Sequence, residues 1–175
     1  MRFFPALLLL AGACPGAPAE SSADSQAEPA PDPLCLCPSL AIPTMPVNDD
    51  AGMLALVELV QEGLFPELAD VPLGVASVPE LQFFRAWTEL DTLNEAPEQR
   101  SYTVQYDPVV LDDPPAPEAL AAILAHELGH VTDYLTKDAG EMVEFAAWYA
   151  GEDPATSASL AAYERATDEQ SLERG

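Results

Sequence analysis

From residue 48 onward, apolar residues recur mostly at helical spacing and alternate in one short run. Met53, Leu54, Leu56, Val57, Leu59 and Val60 predict a helix that begins after Asn48 or Asp49, either of which can cap it, and that ends at Gly63. Pro66, Pro72 and Pro79, with Gly74 among them, make residues 64–80 read as turns and irregular chain. Leu81, Phe84, Trp87 and Leu90 or Thr88 then predict a second helix over about 80–93, with its aromatics in the core. Tyr102, Thr103, Val104, Gln105 and Tyr106 alternate as a half-buried strand does, and Asp107 with Pro108 ends or kinks it.

A loop at 112–117 leads into a long helix over about 117–136, whose first turn suits Pro117 because that N–H has no helical partner anyway. A turn at 137–140 and a helix over about 141–150 follow, ended by Gly151 and Pro154. The last helix starts near Ala155 and carries Leu160, Tyr163, Glu164, Asp168 and Leu172. The pattern predicts an α+β domain dominated by helices, with a small sheet beside the helix at 117–136. No internal repeat interrupts it.

The first 47 residues read differently. MRFFPALLLLAGAC is a charged start, an apolar run and small residues leading into a cysteine, too short to span a bilayer comfortably. Leu10 to Cys14 resembles a bacterial lipobox, which implies cleavage before Cys14 and lipidation of its thiol; an ordinary cleaved signal peptide is the alternative. Residues 15–46 hold eight prolines and no apolar periodicity, so they cannot bury enough surface to offset their ordering entropy. The organisation expected is a signal peptide at 1–13, a tether at 14–47 and a folded domain at 48–175, anchored in or secreted to the cell envelope. Cys35 and Cys37 are separated by one residue, too close for an unstrained bridge, and read as free or intermolecularly paired thiols in the tether.

Charge narrows the partners. Thirty acidic residues stand against six basic ones, a formal net charge of −24, and such a surface repels phosphate backbones and anionic lipid head groups. Nucleic acid is thereby excluded as a partner. At 175 residues the chain has room for one domain of ordinary size.

The chemistry concentrates in His126-Glu127-Leu128-Gly129-His130. On a helix, residues four apart project from one face, so both imidazoles can reach one tetrahedral ion, while Glu127 lies on an adjacent part of that face, placed to polarise water rather than bind metal. These are the two histidines of the chain, which makes accidental spacing a weak explanation. Leu120, Ile123, Leu124, Leu128, Val131 and Leu135 line one flank of the helix and Ala121, Ala122, Ala125 and Gly129 keep another small, as in a buried helix. Zinc is the metal that two imidazoles and one carboxylate suit best, with one position left for water.

HELGH preceded by Ile123-Leu124-Ala125 resembles the active-site helix of the zincin metallopeptidases. The resemblance implies zinc ligation by His126 and His130, and general-base and proton-shuttle duty for Glu127. It also implies a strand that binds extended substrate by edge pairing, a place that residues 102–106 suit. With no third histidine, the extended metzincin pattern is excluded and a glutamate must be the third ligand. Glu164, followed four residues later by Asp168, is similar to the Glu-x-x-x-Asp of the glutamate-zincins, in which the aspartate orients a histidine ligand. Glu144 and Glu141 are the rival third ligands. Tyr134, Tyr163 and Arg165 are candidate oxyanion donors, each also readable as packing or surface. The function implied is zinc-dependent peptide-bond hydrolysis by water activated on Glu127, with a peptide or protein substrate and membrane attachment through Cys14. The alternative on the same fold is a surface lipoprotein that binds metal or peptide without turnover.

Overall fold

A computed structural model of the chain describes residues 42, 47–81, 83–151 and 154–174. The expected signal peptide and tether, with Cys14, Cys35 and Cys37, lie outside the described residues apart from Ile42 and Val47. The first element is helix α1, Asp50–Leu64, capped by the Asp49 carboxylate, which accepts from the Gly52 N–H at 2.8 Å. It runs one residue past Gly63 and buries Met53, Leu56, Val57 and Val60.

Three strands follow, β1 at Leu73–Ser77, β2 at Phe84–Thr88 and β3 at Tyr102–Tyr106, in the order β1-β3-β2. The parallel β1–β3 pair sets Leu73 opposite Tyr102 and Ser77 opposite Tyr106, and the antiparallel β2–β3 pair sets Phe84 opposite Tyr106 and Thr88 opposite Tyr102. β3 behaves as its alternation predicts, burying Tyr102, Val104 and Tyr106.

Two sequence expectations are corrected here. β1 forms where irregular chain was expected, because Pro72 and Pro79 bound the strand rather than interrupt it. β2 replaces the helix expected over 80–93. The spacing of Leu81, Phe84 and Trp87 imitates a helix, but within the strand Ala86 and Thr88 turn inward while Arg85 turns out over the Trp87 ring, 4.8 Å from its centre. Glu80 and Phe83 have φ of 65° and 87°, a left-handed backbone that a right-handed helix cannot contain. Leu90, placed with Thr88 as an alternative on the expected helix, is 69% exposed, whereas Thr88 is buried.

The remaining elements are α2 at Pro117–Tyr134, α3 at Ala139–Tyr149 and α4 at Pro154–Arg174. Gly140 lies inside α3, whose start is fixed by a capping box between Asp138 and Glu141. The described residues thus form a small α+β domain of four α-helices and a three-stranded sheet. α2 is its centre: it packs against α1, β2 and β3 on its apolar side and against α4 on the other. Leu120, Leu124, Leu128 and Val131 of α2 join Met53, Val57, Val60, Phe65, Leu68 and the inward residues of β3 in one core. Among the described residues no helix is long and apolar enough to cross a membrane.

Candidate metal centre

α2 turns His126 and His130 toward α4, one helical turn apart, and α4 returns Glu164 to them. The Nε2 atoms of His126 and His130 are 3.0 Å apart, and Glu164 Oε2 lies 3.1 Å from the first and 3.3 Å from the second. Nitrogen and oxygen ligands held at about 2.0–2.1 Å around a tetrahedral ion stand about 3.3 Å from one another, so this triangle is one face of such a site. Among the described residues this is the group of His, Cys, Asp and Glu side chains with the spacing to hold a metal ion.

The backs of the two rings say which nitrogen is available. His126 Nδ1 lies 2.8 Å from Asp168 Oδ1, and a carboxylate can only accept, so the proton belongs on Nδ1. His130 Nδ1 lies 3.1 Å from the Tyr163 hydroxyl, which donates its own proton to Asp133 Oδ2 at 2.8 Å; the phenol oxygen therefore accepts from the ring. In their neutral forms both histidines have Nε2 lone pairs aimed at one point, beside a carboxylate oxygen. A cation at that point satisfies all three.

Glu127 sits beside this group but not in it. Its carboxyl is fully buried, and burial raises its pKa against the opposing pull of His130 and His126 and a hydrogen bond from the Ala86 amide of β2. Among the described residues its Oε2 has no hydrogen-bond partner. A buried acceptor without a partner costs about 1–3 kcal/mol, which a donor entering from the site, such as a water, would relieve.

Of the rival third ligands, Glu141 spends its carboxylate on the Asp138 N–H at 2.8 Å and Glu144 is exposed on α3; neither joins the triangle. Tyr134 is buried and stacked on His130, Tyr163 is engaged behind His130, and Arg165 is exposed on α4. The tyrosine that sequence reasoning missed is Tyr149. Its hydroxyl donates to Glu164 Oε1 at 3.0 Å, leaving Oε2 to face the histidines, and its ring is 41% exposed. Burial and the charges of Glu164 and Glu127 raise its pKa, so it remains a donor at neutral pH. Its signal in the sequence was slight: Tyr149 is the last residue of α3, and only the angle between α3 and α4 brings it to Glu164.

Gly129 explains how α4 comes so close. A Cβ there would stand 2.9 Å from Thr167 Cγ2 and 3.2 Å from Ser171 Oγ, and Ser171 reaches the Ala125 carbonyl at 3.1 Å. Gly129→Ala is therefore expected to push Glu164 and Asp168 outward and weaken metal binding by about tenfold or more, a loss of the size seen when ligand support is disturbed. The companion change Thr167→Ser removes the colliding methyl and should recover part of the affinity. Isothermal titration with zinc measures both; unchanged affinity in Gly129→Ala would remove this glycine from the account of the site.

Protonation follows from the same contacts. Burial lowers the His126 pKa, but the hydrogen bonds its ring donates to Glu164 and Asp168 and the charge of Glu127 outweigh it and raise the value to about 9. Burial raises the Glu164 pKa, and the hydrogen-bond and charge interactions by which His126 and His130 favour its carboxylate outweigh it, bringing it down to about 2. Without an ion, His126 therefore contributes stability that is complete below its ordinary 6.5 and lost as pH rises through about 9. Glu164 contributes stability present above its ordinary 4.5 and lost as pH falls through about 2. A metal must displace the His126 proton, so binding should tighten from pH 6.5 to 9. Near pH 7 it should release about one proton, read as a dependence of titration heat on buffer ionisation enthalpy.

Fold and site together define a small α+β domain with a two-histidine, one-glutamate centre able to hold a metal ion. No family model matches the chain, and neither a curated protein nor a solved structure does.

Proposed function

We propose that the protein is an envelope-anchored zinc metallopeptidase of the glutamate-zincin type. The observation that carries this reading is the convergence of two Nε2 atoms and Glu164 Oε2 beside a buried carboxylate, Glu127, with one oxygen left unpartnered. His126, His130 and Glu164 would hold the zinc, which when bound supplies a Lewis acid that makes water more acidic and polarises a carbonyl. Glu127, oriented by the Ala86 amide, takes the water's proton on its free oxygen and delivers it to the leaving amine. Tyr149, on releasing Glu164 Oε1, would turn its hydroxyl proton to the developing oxyanion.

Substrate pairing moves from the strand first considered. β3 is the central strand, hydrogen-bonded on both sides, so it has no edge to offer. β2 has one. Glu89 N–H bonds Ser101 C=O and Asp107 N–H bonds Phe83 C=O, so by antiparallel alternation Phe84, Ala86 and Thr88 turn their backbone groups away from β3. That edge runs past Glu127, which takes the Ala86 N–H, and an extended peptide would add there as a further strand through the remaining outward groups of Phe84, Ala86 and Thr88. The acidic surface favours cationic peptides among those that fit.

The test is incubation of the full chain with a diverse peptide pool, with zinc or with chelator, and mass spectrometry of new termini. Zinc-dependent cleavage is expected. A pool that stays intact with stoichiometric zinc bound would favour a non-catalytic metal-binding lipoprotein.

A further inference from the structure

We infer that Tyr163, Asp133 and Lys137 form a positioning relay that sets the tautomer and orientation of His130, and through it the metal affinity of the site. The inference rests on the metal-centre reading and is indifferent to whether the protein cleaves peptides. The contacts are continuous. His130 Nδ1 meets the Tyr163 hydroxyl at 3.1 Å, that hydroxyl donates to Asp133 Oδ2 at 2.8 Å, and Lys137 Nζ holds Asp133 Oδ1 at 2.5 Å. Lys137 is in turn fixed: its ammonium lies over the Phe145 ring, 5.3 Å from the centre, and its backbone carbonyl accepts from the fully buried Arg100 at 2.8 Å.

The direction of the proton matters more than the contacts themselves. A tyrosine hydroxyl can either donate to a ring nitrogen or accept from a ring N–H. Were Tyr163 to donate to His130, the ring would carry its proton on Nε2, where the ion must bind. Asp133 prevents this, because a carboxylate only accepts and so commands the phenol proton. Lys137 supplies the positive charge that holds the Asp133 carboxylate in place beside the Tyr163 hydroxyl. His130 is 5% exposed, which leaves little room for water to take over the role of Tyr163. The Tyr163 and His130 rings also stack, with centres 5.2 Å apart, and that contact survives when only the hydroxyl is removed.

The experiment uses the full chain with 15N-labelled histidine, whose spectrum holds two rings, together with zinc titration. In the wild type without zinc, the neutral His130 ring should carry its proton on Nδ1; in Asp133→Ala it should shift toward Nε2. Tyr163→Phe and Asp133→Ala should each weaken zinc binding by about 10–100-fold, the range for loss of a partner behind a ligand. The double variant should be little worse than either, because the residues act as one unit. Lys137→Met, which leaves the hydroxyl and carboxylate in place, should lose a few-fold and serves if the others fold poorly. Wild-type affinity in Tyr163→Phe, additive losses in the double variant, or an Nε2–H tautomer of His130 in the wild type would each overturn the relay. Failure of the wild type to bind zinc would instead overturn the metal centre beneath it.

Discussion

Glu127→Gln is expected to abolish peptide hydrolysis while leaving zinc bound at wild-type stoichiometry. Glutamine has nearly the same volume, and its carbonyl can still accept from the Ala86 amide, so the fold around the site should be undisturbed. It cannot take a proton. General-base catalysis by a positioned side chain contributes about 10²–10⁴-fold, and kcat/KM should fall by at least that much. Glu127 lies outside the triangle formed by His126, His130 and Glu164, which is why metal content should not follow activity. A second effect has the opposite sign. Burial raises the Glu127 pKa, so an ionised carboxyl there costs stability at neutral pH, and the neutral amide should raise the thermal midpoint. Turnover that survives the substitution would leave the metal-binding or peptide-binding reading in its place.

Stripping the metal, or replacing Glu164 by Ala, is expected to loosen α4. Among its described residues, α4 contributes none to the apolar core; Leu160, Thr167 and Ser171 are its buried ones. It is held instead by Glu164 and Asp168 on the histidines, by Tyr163 among the rings of Phe145 and Trp148, by the close approach at Gly129, and by Arg174 on Glu67 and the Leu64 carbonyl. Most of these contacts meet at the site. Around the two imidazoles stand Glu127, Asp133, Glu164 and Asp168, so a divalent cation removes a repulsion as well as adding bonds. A ligand at a thousand times its dissociation constant stabilises by about 4 kcal/mol, which for a domain of this size is about 10–20 °C in melting temperature. Hydrogen exchange should show the lost protection concentrated in α4, with α1 and the sheet little changed. Equal protection of α4 in chelator and in zinc would mean that polar packing alone holds the helix.

The centre was readable to an unusual degree because most of it is local. His126, Glu127 and His130 lie within two turns of one helix, and the spacing that presents them to one ion needs no knowledge of the rest of the chain. Glu164 and Asp168 were readable as a pair for the same reason, one turn apart on a later helix. That the two turns face each other depended on Gly129, Thr167 and Ser171, small or short side chains whose complementarity appears only when the helices meet. The strand β2 was misread because its apolar residues satisfy both periods over so short a run. Its pairing with β3, and the left-handed residues Glu80 and Phe83 before it, decided the matter.

Properties carried by residues a turn or less apart could thus be read along the chain: the N-cap of α1, the proline in the first turn of α2, the alternation of β3, the chemistry of the two histidines and the one-turn spacing of Glu164 and Asp168. Properties that depend on which surfaces meet could not. The packing of α4 on α2 brought Glu164 rather than Glu144 to the two histidines, set Tyr163 at the back of His130, and let Tyr149 reach the Glu164 carboxylate. Likewise, sheet order placed β3 between two partners and left β2 at an edge, beside Glu127. Local spacing dictates what a segment can present; only the contacts between segments dictate to whom, because burial and hydrogen-bond satisfaction are settled by partners distant in the chain.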